Sequence, residues 1–503
     1  MSIHEKNLSV VESLEPKGVW QYFAGLASVS RPSKHEEKVR KHLRDLLDSL
    51  KLAFQEDGVG NIVVNVPASP GKESAPLIVL QAHVDMVCEK NNDVDHDFDN
   101  DGIHLVCCDD ADTGKKIVKG TGTTLGADNG MGVAMALAAA TDSAIVHGPL
   151  ELLFTVDEEA GMTGAKALAP NSFKGRILLN LDSEEDDELC IGCAGGCDTN
   201  MSFQEDLEAV DGDLQAVRVV VTGLRGGHSG CDIHEGRGNA IKLLTRTISL
   251  ADVGGVRLVD ITGGSKRNAI PREASATMVV STDQVAKFQA AAQQVQQEAS
   301  EESCESKLAI TATVVEVPAG RRAISAAATT HMIDLLTALP SGVLGMHPKV
   351  AGLVETSNNI STVTSQVQDS RLGVSIGTLT RSSSDSRKRE ALALIATVGR
   401  LTGAKVSNDN DYPGWAPNAD SRVLGICQCI YEAEFNDKPH VSSIHAGLEC
   451  GIISEQVGPM DMVSFGPTIF GAHSPDERVF VDSVGKSYRF LAAILAELAG
   501  STA

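Results

Sequence analysis

The sequence predicts an α/β protein: a mixed, largely parallel sheet with helices on both faces, interrupted by an inserted α+β domain of ferredoxin-like order. Three observations carry this expectation. Short apolar runs such as Leu77-Ile-Val-Leu80 and Leu150-Glu-Leu-Leu-Phe154 alternate with helical patterns, as in chains that build parallel sheets. A length of 503 residues suffices for two or more domains. From about Val217 the order changes to strand, helix, strand, strand, helix, strand.

Residues 12–51 carry two helical patterns, VESLEPKGVWQYFAGLASV and KHEEKVRKHLRDLLDSLKL, with apolar residues at helical spacing in the second. Gly60 to Val66 and Pro76 to Gln81 read as strands. The acidic stretch DVDHDFDNDGIHLVCCDDADTGKK reads as a surface excursion. Gly126-Ala-Asp128-Asn-Gly130 then opens the Ala-rich helix MGVAMALAAAT. Two more strands, Leu150 to Val156 and Arg176 to Leu181, run into Asp157-Glu158-Glu159 and Asp182.

Beyond Val217, VRVVVTG, GNAIKLLTRTISL, VRLVDITG, EASATMVVS, DQVAKFQAAAQQVQQEAS and KLAITATVV supply the ferredoxin-like order. Helix TTHMIDLLTAL, strands near GLVETS and LGVSIGTLT, helix SRKREALALIATVGRL and strand AKVSND supply a partial second copy, so the insert is expected to be duplicated. The chain then re-enters the first domain through HVSSIHAGLECGIISEQV, the strand DMVSFGP and a last helix near SVGKSYRFLAAILAELAG. The expected division is 1–196 with 412–503 for the sheet domain and 197–411 for the insert.

Bulk properties narrow the function. Forty-three basic residues against 67 acidic ones leave a net charge of −24, which argues against a nucleic-acid backbone as partner. Aromatic content of 4% argues against base-stacking platforms. The first twenty residues lack the basic leader and apolar core of a signal peptide, and no stretch approaches the ~20 apolar residues that span a bilayer. Eleven cysteines, an odd number, point to thiols in a reducing cytoplasm. Cys190-x-x-Cys193 with Cys197 lacks the second matched pair of a zinc site. Asp97-x-Asp99-x-Asp101-Gly102 opens like a calcium loop, but Cys108 stands where a bidentate Glu is required.

The chemistry concentrates where strands end. His83 and Asp85 flank Val84 and so point the same way on an extended backbone. A carboxylate beside an imidazole holds one ring nitrogen and leaves the other for a metal or a proton. Glu158, Glu159 and Asp182 end two further strands, and Asp128 starts a helix. In open α/β sheets, sites form at the carboxyl ends of strands, where these groups can converge.

In order, LQAHVDMVCEKN, GTTLGADNGMGVAMALA, TVDEEAGMTGA, NLDSEE and GAHSPDERV resemble the co-catalytic zinc exopeptidases of the aminoacylase/carboxypeptidase clan, and within it the aminoacyl-histidine dipeptidases. The resemblance covers nearly the whole chain. It implies two Zn²⁺ ions per subunit, with Mn²⁺ or Co²⁺ as substitutes that suit the same mixed ligands. Asp128 would bridge them, His83 and Asp182 would complete one site, and Glu159 and His473 the other. Asp85 would fix the His83 tautomer, and Glu158 would act as general base toward a water shared by the metals. In the insert, which would serve as a lid, LRGGHSG implies that His228 stabilises the oxyanion. SKRNAI implies that Asn268 contacts substrate, and LTRSSS implies that Arg381 grips the substrate carboxylate. His445 is expected to face the cleft, with Glu449 near the substrate amine.

The function implied is hydrolysis of unblocked dipeptides, Xaa-His among them, by a cytoplasmic enzyme with no nucleic-acid or membrane partner and with a homodimer as the favoured assembly. The rivals are a deacylase or carboxypeptidase on the same fold, which would tolerate a blocked amine, and an inactive metal-binding scaffold.

Overall fold

The computed structural model describes residues 1–210, 214–303, 305–316, 322–348, 350 and 352–500. They form two compact units. One comprises Met1–Gly192, Pro417–Ser443 and Leu448–Ala503, the other Cys193–Ala416 and Ile444–Gly447. Each has its own apolar core.

In the first unit, eight strands form one sheet in the order Ala53–Glu56, Ile62–Val66, Leu150–Thr155, Ile78–His83, Ile177–Asn180, Asp461–Ser464, Glu188–Cys193 and His440–Ile444. The sheet is mixed: Leu150–Thr155 through Asp461–Ser464 run parallel, and antiparallel strands flank them. Every residue of Ile78–His83 and Leu150–Thr155 is buried, which explains why these strands read as apolar runs without alternation. Helix Ala127–Thr141 packs against Ile78–His83 on one side and helix Lys17–Ala27 on the other. Its Ala- and Gly-rich sequence permits burial on almost every side.

The acidic stretch is more than a surface excursion. Within it Val106–Asp109 pairs with Lys116–Lys119, and both join Arg478–Phe480 and Ile469–Phe470 in a four-stranded sheet. Ile117 and Val118 are buried there. This sheet holds both ends of the loop that carries His473.

In the second unit, an antiparallel sheet runs in the order Ala309–Val315, Leu214–Thr222, Ala274–Ser281, Arg257–Gly263, Val354–Gln368, Arg371–Ser382, Gly195–Asp206 and Lys405–Tyr412. Gly342–Met346 adds to it by pairing with Val354–Gln368. Two strands that the sequence reading lacked, Glu188–Cys193 and Gly195–Asp206, carry Cys190, Cys193 and Cys197 as buried residues.

Candidate functional site

His83 is the last residue of its strand, and Thr155 and Asn180 end the two parallel neighbours. The residues that follow therefore collect at one end of the sheet. Asp157 takes a left-handed φ of 55° and turns the chain at once into the short helix Glu158–Gly161. The acid pair thus lies on a helical first turn, where an extended strand end was expected. The Glu158 and Glu159 amides donate to Asp85 Oδ1 and Oδ2 at 3.1 and 3.2 Å. The Ser33 hydroxyl adds a third donor to Asp85 at 2.8 Å.

Asp85 Oδ1 lies 3.3 Å from His83 Nδ1, which turns Nε2 toward the acids. Asp128 presents one oxygen to each of two histidines, Oδ1 at 3.2 Å from His83 Nε2 and Oδ2 at 3.2 Å from His473 Nε2. Asp182 Oδ1 lies 3.3 Å from His83 Nε2, and Glu159 Oε2 lies 3.0 Å from His473 Nε2. Three sets of potential ligand atoms each fall within 4.8 Å: His83, Asp128 and Asp182; Asp128, Glu159 and His473; and His83, Glu158 and Glu159. The site is lopsided, because the His473 side chain is 52% exposed and that of His83 is 1% exposed.

The electrostatics call for cations. Hydrogen bonds to Asp128 and Glu159 push the His473 imidazole up to about 11. Burial works against protonation of His83, but Asp182, Asp128 and Asp85 outweigh it and raise its pKa. Burial likewise raises Asp128, yet the hydrogen bonds from His473 and His83 prevail and hold it below the usual carboxylate range. Glu158 is raised, by burial first and then by Asp182, Glu159 and Glu449. In this protein the two imidazoles stand where positive charge is demanded, and the mixed N/O donors suit divalent transition metals.

Several residues position this cluster without a signal in the sequence reading. Glu477 is 2% exposed and accepts from four consecutive amides, Leu125 at 2.7 Å, Gly126 at 2.9 Å, Ala127 at 2.7 Å and Asp128 at 3.3 Å. It lay inside the motif GAHSPDERV without a role. The buried Arg31 guanidinium donates to the carbonyls of Val84, Asp85 and Gly126, tying the His83 loop to the Asp128 loop. Asn129 Nδ2 donates to the Leu181 carbonyl at 3.0 Å and to Asp182. Glu449, which the sequence did single out and placed near the substrate amine, is fully buried, and its carboxylate accepts from Gln81 at 2.7 Å and Thr155 at 2.5 Å; burial pushes it up to about 8.

The second unit gathers the other expected residues. Ser357, Arg381, Gly196 and Tyr412 are successive cross-strand partners and so share one face. His445 Nε2 lies 2.8 Å from Ser357 Oγ, and burial, then Arg381 and His228, push its imidazole down to about 3, so the ring is neutral. Arg381 is 5% exposed, with Nη1 donating to Tyr412 Oη at 3.0 Å and Nη2 3.4 Å from His228 Nε2. No carboxylate among the described residues forms an ion pair with Arg381. His228 Nδ1 accepts from the amides of Gly230 at 3.3 Å and Cys231 at 3.0 Å, which places the hydrogen of a neutral ring on Nε2. Asn268 is exposed and adjoins His228 through the short pair Gly227–His228 with Ala269–Ile270; its carbonyl accepts from the Ser229 amide at 2.8 Å.

Residues 79–497 match the model of the peptidase family M20/M25/M40. The chain is 42% identical over 492 residues, 98% of its length and 99% of the relative, to a cytosol non-specific dipeptidase of Escherichia coli. Among solved structures, it resembles an aminoacylhistidine dipeptidase from Vibrio alginolyticus with a TM-score of 0.85 and 40% identity, covering 97% of this chain and 98% of that one. An aminopeptidase from Bacillus cereus shares the fold at a TM-score of 0.61 and 18% identity, covering 97% and 99% of the two chains. The strand-end cluster of histidines and carboxylates therefore sits in a chain that belongs to the metal-dependent peptidase family M20/M25/M40.

Proposed function

We propose that the chain hydrolyses unblocked dipeptides, Xaa-His dipeptides among them, using two divalent metal ions, Zn²⁺ foremost. The observation that carries the two-metal reading is Asp128, whose two oxygens each face a different histidine at 3.2 Å. His83 and Asp182 would hold one ion and Glu159 and His473 the other, with Asp128 available to both. When bound, such a pair polarises the scissile carbonyl and makes a water more acidic. Glu158 receives a proton and passes it to the leaving nitrogen. Asp85 keeps the His83 ring oriented.

The substrate class is supported by the two relatives named as dipeptidases, each aligned over nearly its full length. The name of the first also supports a cytosolic location, and no helix among the described residues is long and apolar enough to cross a membrane. We read the second unit as a lid of two ferredoxin-like halves. Strands Leu214–Thr222, Arg257–Gly263, Ala274–Ser281 and Ala309–Val315 make one. Gly195–Asp206, Val354–Gln368, Arg371–Ser382 and Lys405–Tyr412 make the other, with the same internal order in mirror arrangement along the sheet. In this reading Arg381 takes the substrate carboxylate, His228 the oxyanion, and Asn268 and His445 adjoin the substrate.

Metal stoichiometry tests the proposal. The wild-type protein should bind two equivalents of zinc and turn over a simple dipeptide. Asp128→Ala should impair both sites, and His473→Ala mainly one. Two equivalents at wild-type affinity in Asp128→Ala would exclude the bridge. A fully metal-loaded wild-type protein that leaves every dipeptide intact would exclude the activity.

A further inference from the structure

We propose that Tyr412 is a second carboxylate-binding group, its phenolic hydrogen directed to the same substrate carboxylate that Arg381 takes. The inference rests on the Arg381 reading above and adds a residue to it. Arg381 Nη1 donates to Tyr412 Oη at 3.0 Å, so the phenol oxygen is the acceptor in that bond. A hydroxyl has one hydrogen, and accepting from Arg381 leaves it available to donate. An anion seated on the guanidinium would then meet an O–H donor fixed beside it. Hydrogen bonds to a charged group are stronger than neutral ones.

The sheet is built to hold the phenol there. Arg381 and Tyr412 are the cross-strand partners of the same residue, Gly196, on its two sides. A Cβ at Gly196 would lie 2.5 Å from Tyr412 Oη and 2.6 Å from Cζ, so only glycine lets the ring lie across that position toward Arg381. The backbone of Tyr412 is fixed as well. Lys388, 4% exposed, donates Nζ to the Tyr412 carbonyl and forms ion pairs with Asp411 at 2.7 Å and Asp385 at 3.4 Å. Arg381 Nε, one of the guanidinium's five N–H donors, is also buried without a protein partner, as expected of a group whose main partner arrives from solution.

The test is Tyr412→Phe, which removes one oxygen and keeps the ring. It compares a dipeptide with its C-terminal amide by kcat/KM, or by competitive inhibition constants if the amide is cut too slowly. The dipeptide should lose about 10-fold or more, chiefly in KM, with the amide changing by less than about twofold on the same hydrogen-bond scale. Tyr412→Phe should therefore narrow the preference for the free carboxylate. Equal losses on both compounds, or no loss on either, would overturn the proposal. Arg381→Ala separates the two layers. If it abolishes the preference while Tyr412→Phe leaves it intact, only the Tyr412 assignment falls. If Arg381→Ala keeps the preference, the Arg381 reading falls and takes this one with it.

Discussion

Asp85 uses two oxygens for three tasks. It faces His83 Nδ1 and accepts the amides of both Glu158 and Glu159, so one carboxylate sets the His83 ring and the turn that carries the acid pair. The His83 contact was legible because His-x-Asp on an extended backbone puts both groups on one side. The amide contacts were not legible, because they depend on the left-handed turn at Asp157, which no side-chain pattern announces. That turn also separates the roles of the two acids. Glu159 reaches His473, whereas Glu158 is partly buried among other acids and raised by burial and by their charge. Glu158→Gln keeps the shape of the side chain and removes its ability to accept a proton. Turnover should drop by about 10²–10⁴-fold while both metal equivalents stay bound. Activity within about threefold of wild type, far outside that range, would remove Glu158 from the mechanism.

At the scale of elements, the site depends on loops being held by residues distant in sequence. Glu477 gathers four amides of the segment that delivers Asp128, and Arg31 fastens that segment to the His83 loop. Periodicity and motif spacing locate strands and ligands but not such clasps, which form only when separate loops meet. The same limit explains the missed strand Gly195–Asp206. Its residues, GGCDTNMSFQED, are poor strand formers, yet Arg371–Ser382 and Lys405–Tyr412 pair with it on both sides. Tertiary pairing overrides propensity there. By contrast, Ile78–His83 and Leu150–Thr155 were legible because burial on both faces demands apolar runs. Glu477→Gln tests the clasp. The amide offers one acceptor oxygen and turns an NH₂ donor toward backbone donors. Metal affinity should fall about 10- to 100-fold, with a stability loss of about 1–3 kcal/mol from amides left unsatisfied. Metal titration and thermal melting of the apo-protein measure the two effects separately; unchanged metal affinity would show that the Asp128 loop holds its shape unaided.

At the scale of the whole molecule, the question is how the enzyme restricts itself to short substrates. Arg381 is a buried guanidinium with no acidic partner among the described residues, so it suits an anion supplied from outside. If that anion is the substrate's terminal carboxylate, the scissile carbonyl must lie one residue away from it. An added C-terminal residue lengthens an extended chain by ~3.3–3.6 Å, enough to carry the carboxylate past the guanidinium. Misplacement of this size can cost on the order of 10²-fold in rate. The amine end is restricted by charge. Asp128, held in its charged form, and a chain net charge of −24 favour a cationic ammonium over a neutral amide. The measurement compares kcat/KM for a dipeptide, the tripeptide extended at its C-terminus, and the N-acetyl dipeptide. The dipeptide should exceed the tripeptide by about 10²-fold, and the acetylated compound should also be poor. Comparable values for all three would contradict the dipeptidase reading and favour a general exopeptidase. A preference for the acetylated compound would instead identify a deacylase working from the same cluster of histidines and carboxylates.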